Sequence, residues 1–139
     1  DITRTYALGK PTKRQQAVHD AVREAQAEII SLIEPGLPVE EYFQKVDDIM
    51  KRALMSVGLM KDANDPAYRK YFPHSIGHGL GIDVHDALGQ PRVLEPGMVM
   101  TVEPGIYIPE EGIGVRIEDD ILVTDDGRKN LSAKLPVTL

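Results

Sequence analysis

The chain has 139 residues, 42% hydrophobic and 27% charged, which is enough for one domain with a real core and too apolar for disorder. Its net charge of −6 argues against nucleic acid as a partner, and no apolar run is long enough to span a membrane or act as a secretory leader. It holds no cysteine, which excludes disulfides and thiolate zinc sites and fits a cytoplasmic location.

Residues 1–8 read as the tail of a strand, because Ile2, Thr3, Thr5 and Tyr6 favour extended backbone. Gly9 to Pro11 is a turn. Thr12 reads as a helix N-cap, with Gln15 completing a capping box. Val18, Val22, Ala25, Ile29, Leu32 and Ile33 then form one apolar stripe of helical period, stopped by Pro35-Gly36. Pro38 suits the first turn of a second helix, whose stripe is Tyr42, Val46, Ile49, Ala53 and Val57 and whose end is marked by Gly58. His19 has polar neighbours and reads as surface. Residues 61–73 are polar, contain Asp65-Pro66 and Phe72-Pro73, and read as loop. Beyond them come strands and turns: Val99 to Val102, then Val115 to Thr124, with Asp125-Asp126-Gly127 turning into the tail. Two helices followed by strands imply an α+β fold, with helices covering one face of an antiparallel sheet.

The chemistry-bearing residues lie mostly late in the chain. On a regular strand Arg116, Glu118 and Asp120 share one face, while Val115, Ile117, Asp119, Ile121 and Val123 share the other. The charged face is either solvated or part of a site, and Arg116 is spaced to orient the Glu118 carboxylate. Glu103 follows the apolar run Met98 to Val102 and is fixed by Pro104-Gly105, so it either meets water at a strand end or is aimed into a site. His78 sits among Gly77, Gly79 and Gly81, which permit close backbone approach; it reads as a crowded ligand or as a loop histidine. His85 lies seven residues on, so a regular strand would put the two imidazoles on opposite faces; their convergence needs a bend. His74 reads as a third site histidine or as an exposed loop residue. With Asp1, the set offers one imidazole and three carboxylates, suited to a hard or borderline divalent cation, and leaves His85 for proton transfer or substrate binding.

Taken in order and spacing, three segments resemble the pita-bread metallopeptidases, nearest to Xaa-Pro aminopeptidase (aminopeptidase P) and Xaa-Pro dipeptidase (prolidase). They are His78-Gly79-Leu80-Gly81-Ile82-Asp83-Val84-His85-Asp86, Leu94-Glu95-Pro96-Gly97-Met98 and Val102-Glu103-Pro104-Gly105-Ile106-Tyr107. The similarity extends from Asp1-Ile2-Thr3-Arg4-Thr5 to Arg116-Ile117-Glu118-Asp119-Asp120. One departure is Ser75, where many relatives carry Gly.

The resemblance implies a pita-bread fold with helices packed on a curved antiparallel sheet. It implies two divalent ions, manganese first and cobalt or zinc next, held by two Asp, one His and two Glu. Carried over by motif, the second Asp is Asp1, the His is His78, and the Glu pair is Glu103 and Glu118, with Glu118 bridging the ions. His85 and His74 correspond to histidines near the substrate, and Arg116 to the arginine beside the bridging Glu. The implied reaction is hydrolysis of the bond between an N-terminal residue and proline, by a hydroxide activated between the two ions. Glu103 would also move a proton to the leaving nitrogen. The substrate would be a peptide with proline at the second position.

The family's first Asp ligand lies upstream of Asp1. Residues 1–139 are therefore expected to be the C-terminal portion of one catalytic domain, with one metal position short of a ligand and the N-terminal portion of the domain as its partner. A homo-oligomer is a further expectation, whereas nucleic acid and membrane are not. Two other readings stay open: a methionine aminopeptidase-like enzyme with the same five ligands, and a non-catalytic binding module of this fold. The Asp83-Val84-His85-Asp86 segment favours the proline-specific branch.

Overall fold

The structure is a computed structural model and describes residues 1–87, 89 and 91–139. Helix α1 spans Lys13–Leu32. Its capping box forms as read: the Gln15 amide donates to Thr12 Oγ1 and the Thr12 amide to Gln15 Oε1. Val18, Val22, Ala25 and Ile29 are buried, and the turn beyond runs into a fully buried Ile33. His19 is a correction. It is buried at 1% exposure on the same side as Val18 and Val22, because the helix buries a broad face, shared between the second helix and the strands, and not a narrow stripe.

Helix α2 spans Val39–Ser56, with Pro38 as its N-cap. Tyr42, Val46, Ile49, Met50, Ala53 and Leu54 face the core. Gly58 follows the last turn at φ +73°, and the Leu59 amide reaches back to the Leu54 carbonyl, as in a left-handed helix stop. The expected loop over 61–73 contains one short helix, α3, at Tyr68–Tyr71.

Among the described residues five strands follow: β1 (Val99–Val102), β2 (Gly105–Ile108), β3 (Ile113–Arg116), β4 (Asp119–Thr124) and β5 (Gly127–Asn130). A short 3₁₀ turn, Pro109–Glu111, joins β2 to β3. All pairings are antiparallel, in the order β1-β4-β5 and, separately, β2-β3. Helix α1 lies across β1, β2 and β3, so the core sits between the helices and one face of the strands. Among the described residues, no helix is long and apolar enough to cross a membrane.

Two expectations are corrected, and the tail after the expected turn proves to be a further strand. Residues 1–8 form no strand; Thr3 makes a single antiparallel bridge to Glu118. The expected strand from Val115 to Thr124 is two strands, broken at Ile117–Glu118. The tail beyond Thr124 pairs as β5, with Ile121 opposite Asn130 and Thr124 opposite Gly127.

The break has a physical cause. β1 and β2 are interrupted at Glu103-Pro104, where proline lacks the amide a continuous ladder would need. β3 and β4 are interrupted at the facing residues, with the Ile117 amide donating to the Pro104 carbonyl at 3.4 Å. Two long neighbouring strands thus bend at the same level, and a glutamate stands at each bend.

Candidate metal centre

Four extended segments lie side by side at that level. Residues 1–5 bridge to 116–118 through the Thr3–Glu118 pair, in which the Glu118 amide donates to the Thr3 carbonyl at 3.0 Å. Residues 116–118 contact 103–104 through Ile117 and Pro104. The Glu103 amide in turn donates to the Ile76 carbonyl at 2.8 Å, and the Thr101 amide to the His78 carbonyl at 2.9 Å. Each segment brings one candidate ligand: Asp1, Glu118, Glu103 and His78.

The ligand atoms meet. One oxygen each from Glu103 and Glu118 and one nitrogen of His78 lie within 4.8 Å of one another. His78 Nε2 is 3.7 Å from Glu103 Oε1 and 3.6 Å from Asp1 Oδ2. Donors on one ion, with bonds of about 2.0–2.2 Å, stand no more than roughly 4.4 Å apart. The set therefore fits a divalent cation after small inward movements, and its oxygen-rich chemistry suits a hard one.

The surroundings tune each group. His78 Nδ1 faces the Gly79 carbonyl at 2.9 Å; that contact requires a proton on Nδ1 and leaves Nε2 as the lone-pair donor aimed at the carboxylates. The His78 amide donates to Thr101 Oγ1 at 2.9 Å, fixing this segment against β1. The approach is so close that a Cβ at Gly77 would stand 2.0 Å from the Thr101 carbonyl oxygen. Glu118 is 2% exposed and accepts a short hydrogen bond, 2.5 Å, from the Thr3 hydroxyl. That hydroxyl accepts from Arg116 Nε at 3.1 Å, so Arg116, itself 4.0 Å from Glu118, acts on the carboxylate mainly through Thr3. The Glu103 carboxyl is pushed above the ordinary carboxylate range, first by burial and then by the Glu118 charge beside it. A cation between the two would relieve that repulsion.

Two histidines border the cluster. His85 reaches it through the bend that the spacing required: Gly79 and Asp86 form an antiparallel bridge, and the loop between them returns His85 to His78. The two rings meet edge to face with centroids 4.8 Å apart, and Asp1, His78 and His85 form a second group whose donor atoms lie within 4.8 Å. The loop is held by the Asp86 carboxylate, which accepts from the Ile82 and Ala87 amides at 2.9 and 2.8 Å. His74 donates from Nδ1 to the Ser75 carbonyl at 2.7 Å and accepts at Nε2 from the Tyr107 hydroxyl at 2.9 Å, with Glu103 Oε2 3.9 Å away.

The structure thus brings Asp1, His78, Glu103, Glu118, His85 and His74 to one place, with Arg116 at its edge. Sequence reading passes over Thr3, Thr101 and Tyr107, which orient Glu118, His78 and His74. Thr3 carries one signal, since a polar residue two places from Asp1 shares its side of an extended segment.

The chain is similar to known proteins over nearly its whole length. Residues 1–125 match metallopeptidase family M24. The chain is 44% identical to Xaa-Pro aminopeptidase 3 of Rattus norvegicus over 98% of its own length and 30% of that protein's. It is 43% identical to Xaa-Pro aminopeptidase of Escherichia coli K12 over 97% of its length and 35% of that protein's. It superposes on zinc-substituted E. coli aminopeptidase P in complex with product with a TM-score of 0.86 at 42% identity, covering 99% of this chain and 36% of that one. Proline aminopeptidase P II from Yersinia pestis gives the same TM-score at 41% identity, again over 99% of this chain and 36% of the other. The chain therefore spans about a third of the length of these relatives.

Proposed function

The chain belongs to metallopeptidase family M24, and from that premise we propose that it is the ligand-bearing, C-terminal portion of a pita-bread catalytic domain that cleaves an N-terminal residue from proline. The observation that carries the reading is the convergence of His78, Glu103 and Glu118, with Asp1 beside them, from four separate segments. Asp1, His78, Glu103 and Glu118 would hold divalent cations, with manganese the first choice for a carboxylate-rich set. Such ions would supply Lewis-acid polarisation of the scissile carbonyl and a water acidic enough to attack at neutral pH.

The residues of this chain do the rest. Glu103, whose carboxylate lies between His74 and His78 at the edge of the cluster, is placed to accept a proton and deliver it to the proline nitrogen as the bond breaks. His85, on the exposed loop beside His78, hydrogen-bonds the substrate at the reacting carbonyl. His74, held at both nitrogens by Ser75 and Tyr107, borders the same space and fixes the substrate's orientation. Arg116 and Thr3 hold Glu118 in place. A carboxylate from the upstream portion of the domain would complete the second metal position.

The test is manganese titration of the protein that carries this chain, with Ala-Pro-Ala, Ala-Pro and Met-Ala-Ala as substrates. Release of alanine from Ala-Pro-Ala supports the aminopeptidase reading, and cleavage of Ala-Pro alone makes it a dipeptidase. Cleavage of Met-Ala-Ala alone transfers it to the methionine-specific branch. Cation binding with no hydrolysis of any of the three would make it a binding module.

A further inference from the structure

We propose that Arg4 and Asp119 form a register lock behind the ligand face that positions Asp1 and Glu118; the proposal rests on the metal-site reading above. The two ligand-bearing segments pair antiparallel at one point, Thr3 opposite Glu118. Side chains alternate along extended backbone, so Asp1 and Thr3 face the ligand cluster while Arg4 faces away. Across the pair, Glu118 faces the cluster and Asp119 faces away. The two outward residues meet: Arg4 Nη2 donates to Asp119 Oδ1 at 2.6 Å, with both side chains buried, at 7% and 4% exposure.

Arg4 is saturated. Nη1 donates to the Thr3 and Glu118 carbonyls, both at 2.8 Å, Nε to the Pro136 carbonyl at 3.0 Å, and Nη2 also to the Leu135 carbonyl at 3.4 Å. Two of those acceptors are the backbone of the bridging pair itself. Asp119 is held from the other side, its Oδ2 accepting from Gln26 on α1 at 3.2 Å and from Asn130 on β5 at 3.1 Å. The lock therefore ties residues 1–4 to a point already fixed by a helix and a strand.

The backbone pairing of the segment is too short to set its register as firmly. A long strand is held in place by repeated backbone pairing, whereas among the described residues 1–5 make one bridge, supplemented by side-chain and terminal contacts: the Thr3 hydroxyl with Glu118 and Arg116, the Thr5 hydroxyl with Arg116, and the Asp1 amino group with the Asp120 carboxylate. A slip of one residue would turn Asp1 away from His78 and leave two buried charges without partners, which the interior penalises heavily. Arg4 and Asp119 touch no ligand atom; they act through the backbone of Thr3 and Glu118, as positioning residues.

The test uses the protein that carries this chain, with the paired substitution Arg4→Met/Asp119→Leu, which leaves no unpaired buried charge, and the conservative Arg4→Lys. Thermal melting establishes folding, amide hydrogen exchange reads the Glu118 N–H, and cobalt titration followed by visible absorption reads the site. The paired variant is expected to melt cooperatively, to exchange the Glu118 amide at least about tenfold faster, and to bind cobalt about tenfold or more weakly with an altered band. Arg4→Lys, which keeps the charge but loses the fork, is expected to fall between. Unchanged Glu118 protection overturns the lock whatever cobalt does, and unchanged cobalt affinity with lost protection overturns its role in the site. Absence of cobalt binding by the unsubstituted protein, with faster Glu118 exchange in the variant, overturns the metal reading alone and upholds the lock.

Discussion

Gly77→Ala should damage the candidate metal centre without touching a ligand. A Cβ at residue 77 would lie 2.0 Å from the Thr101 carbonyl oxygen, 2.8 Å from its carbonyl carbon and 2.9 Å from its hydroxyl oxygen. Contacts of this kind are not made below 3.0 Å, so the two segments must part by about 1 Å. Thr101 cannot yield easily, because it lies in β1 paired with Asp120 of β4. The displacement falls instead on residues 76–78, and it loosens the His78 amide bond to Thr101 and the Ile76 carbonyl bond to Glu103. Overpacking of this kind costs about 1–3 kcal/mol, which for a chain of this size lowers the melting temperature by about 3–15 °C. A ligand site tolerates shifts of only about 0.5 Å, so cobalt affinity should fall at least about tenfold. Gly36→Ala is the control: φ is +86° and none of the described residues lies within 4 Å of the added carbon. It should cost about 1–2 kcal/mol from backbone strain alone and leave cobalt affinity intact. Melting curves and cobalt titrations on both variants decide the matter. Equal cobalt affinity in the Gly77→Ala and Gly36→Ala variants would refute the reasoning.

Glu118→Gln should remove peptide hydrolysis nearly completely, since one carboxylate would serve both ions; a variant keeping half its turnover in manganese contradicts that role. His85→Ala should lower turnover about 10²–10³-fold with cation binding kept, and a parallel loss of cation binding would make His85 a ligand, as its closeness to Asp1 and His78 allows. Burial, the largest influence, holds the His19 pKa below its ordinary 6.5, with the Arg23 charge adding to this and Asp20 opposing it. The unfolded chain therefore takes up a proton first as pH falls through the ordinary histidine range, and the stability contributed by neutral His19 is lost on acidification below that range. His19→Leu, which also removes a buried Nδ1 that has no hydrogen-bond partner among the described residues, should flatten the decline in unfolding free energy from about pH 7 to about pH 5; identical slopes in denaturant titrations would count against it.

The helices are legible because their signals are local. Thr12 and Gln15 sit three apart, and Val18 to Ile29 repeat at helical spacing, so neighbours in sequence are neighbours in space. His19 misleads because the width of a buried face depends on what packs against the helix, which no local pattern records. The break at Ile117–Glu118 is hidden for a related reason: it is matched to Glu103-Pro104, a partner that is remote in sequence. Yet the alternation carries a clue. A lone Asp119 grouped with Val115, Ile117, Ile121 and Val123 implies a buried carboxylate in need of a cation, and Arg4 is that cation. β5 escapes notice because Gly127-Arg128-Lys129-Asn130 has little strand propensity; its polar side chains suit an edge. The candidate ligands themselves stand out in their motifs, but their meeting point depends on how four segments align side by side.

The same alignment bears on the order in which the chain folds. The Thr3–Glu118 contact spans 115 residues of sequence, and closing so long a loop is entropically costly until the intervening elements have collapsed. The β1–β4 pairing and the Ile76–Glu103 contact can form within the second half of the chain alone, so His78, Glu103 and Glu118 can gather early. Asp1 should therefore arrive last, brought in as Arg4 closes on Asp119. In a refolding experiment, tight cation capture should therefore lag behind the appearance of sheet signal, and the lag should measure the docking of residues 1–5.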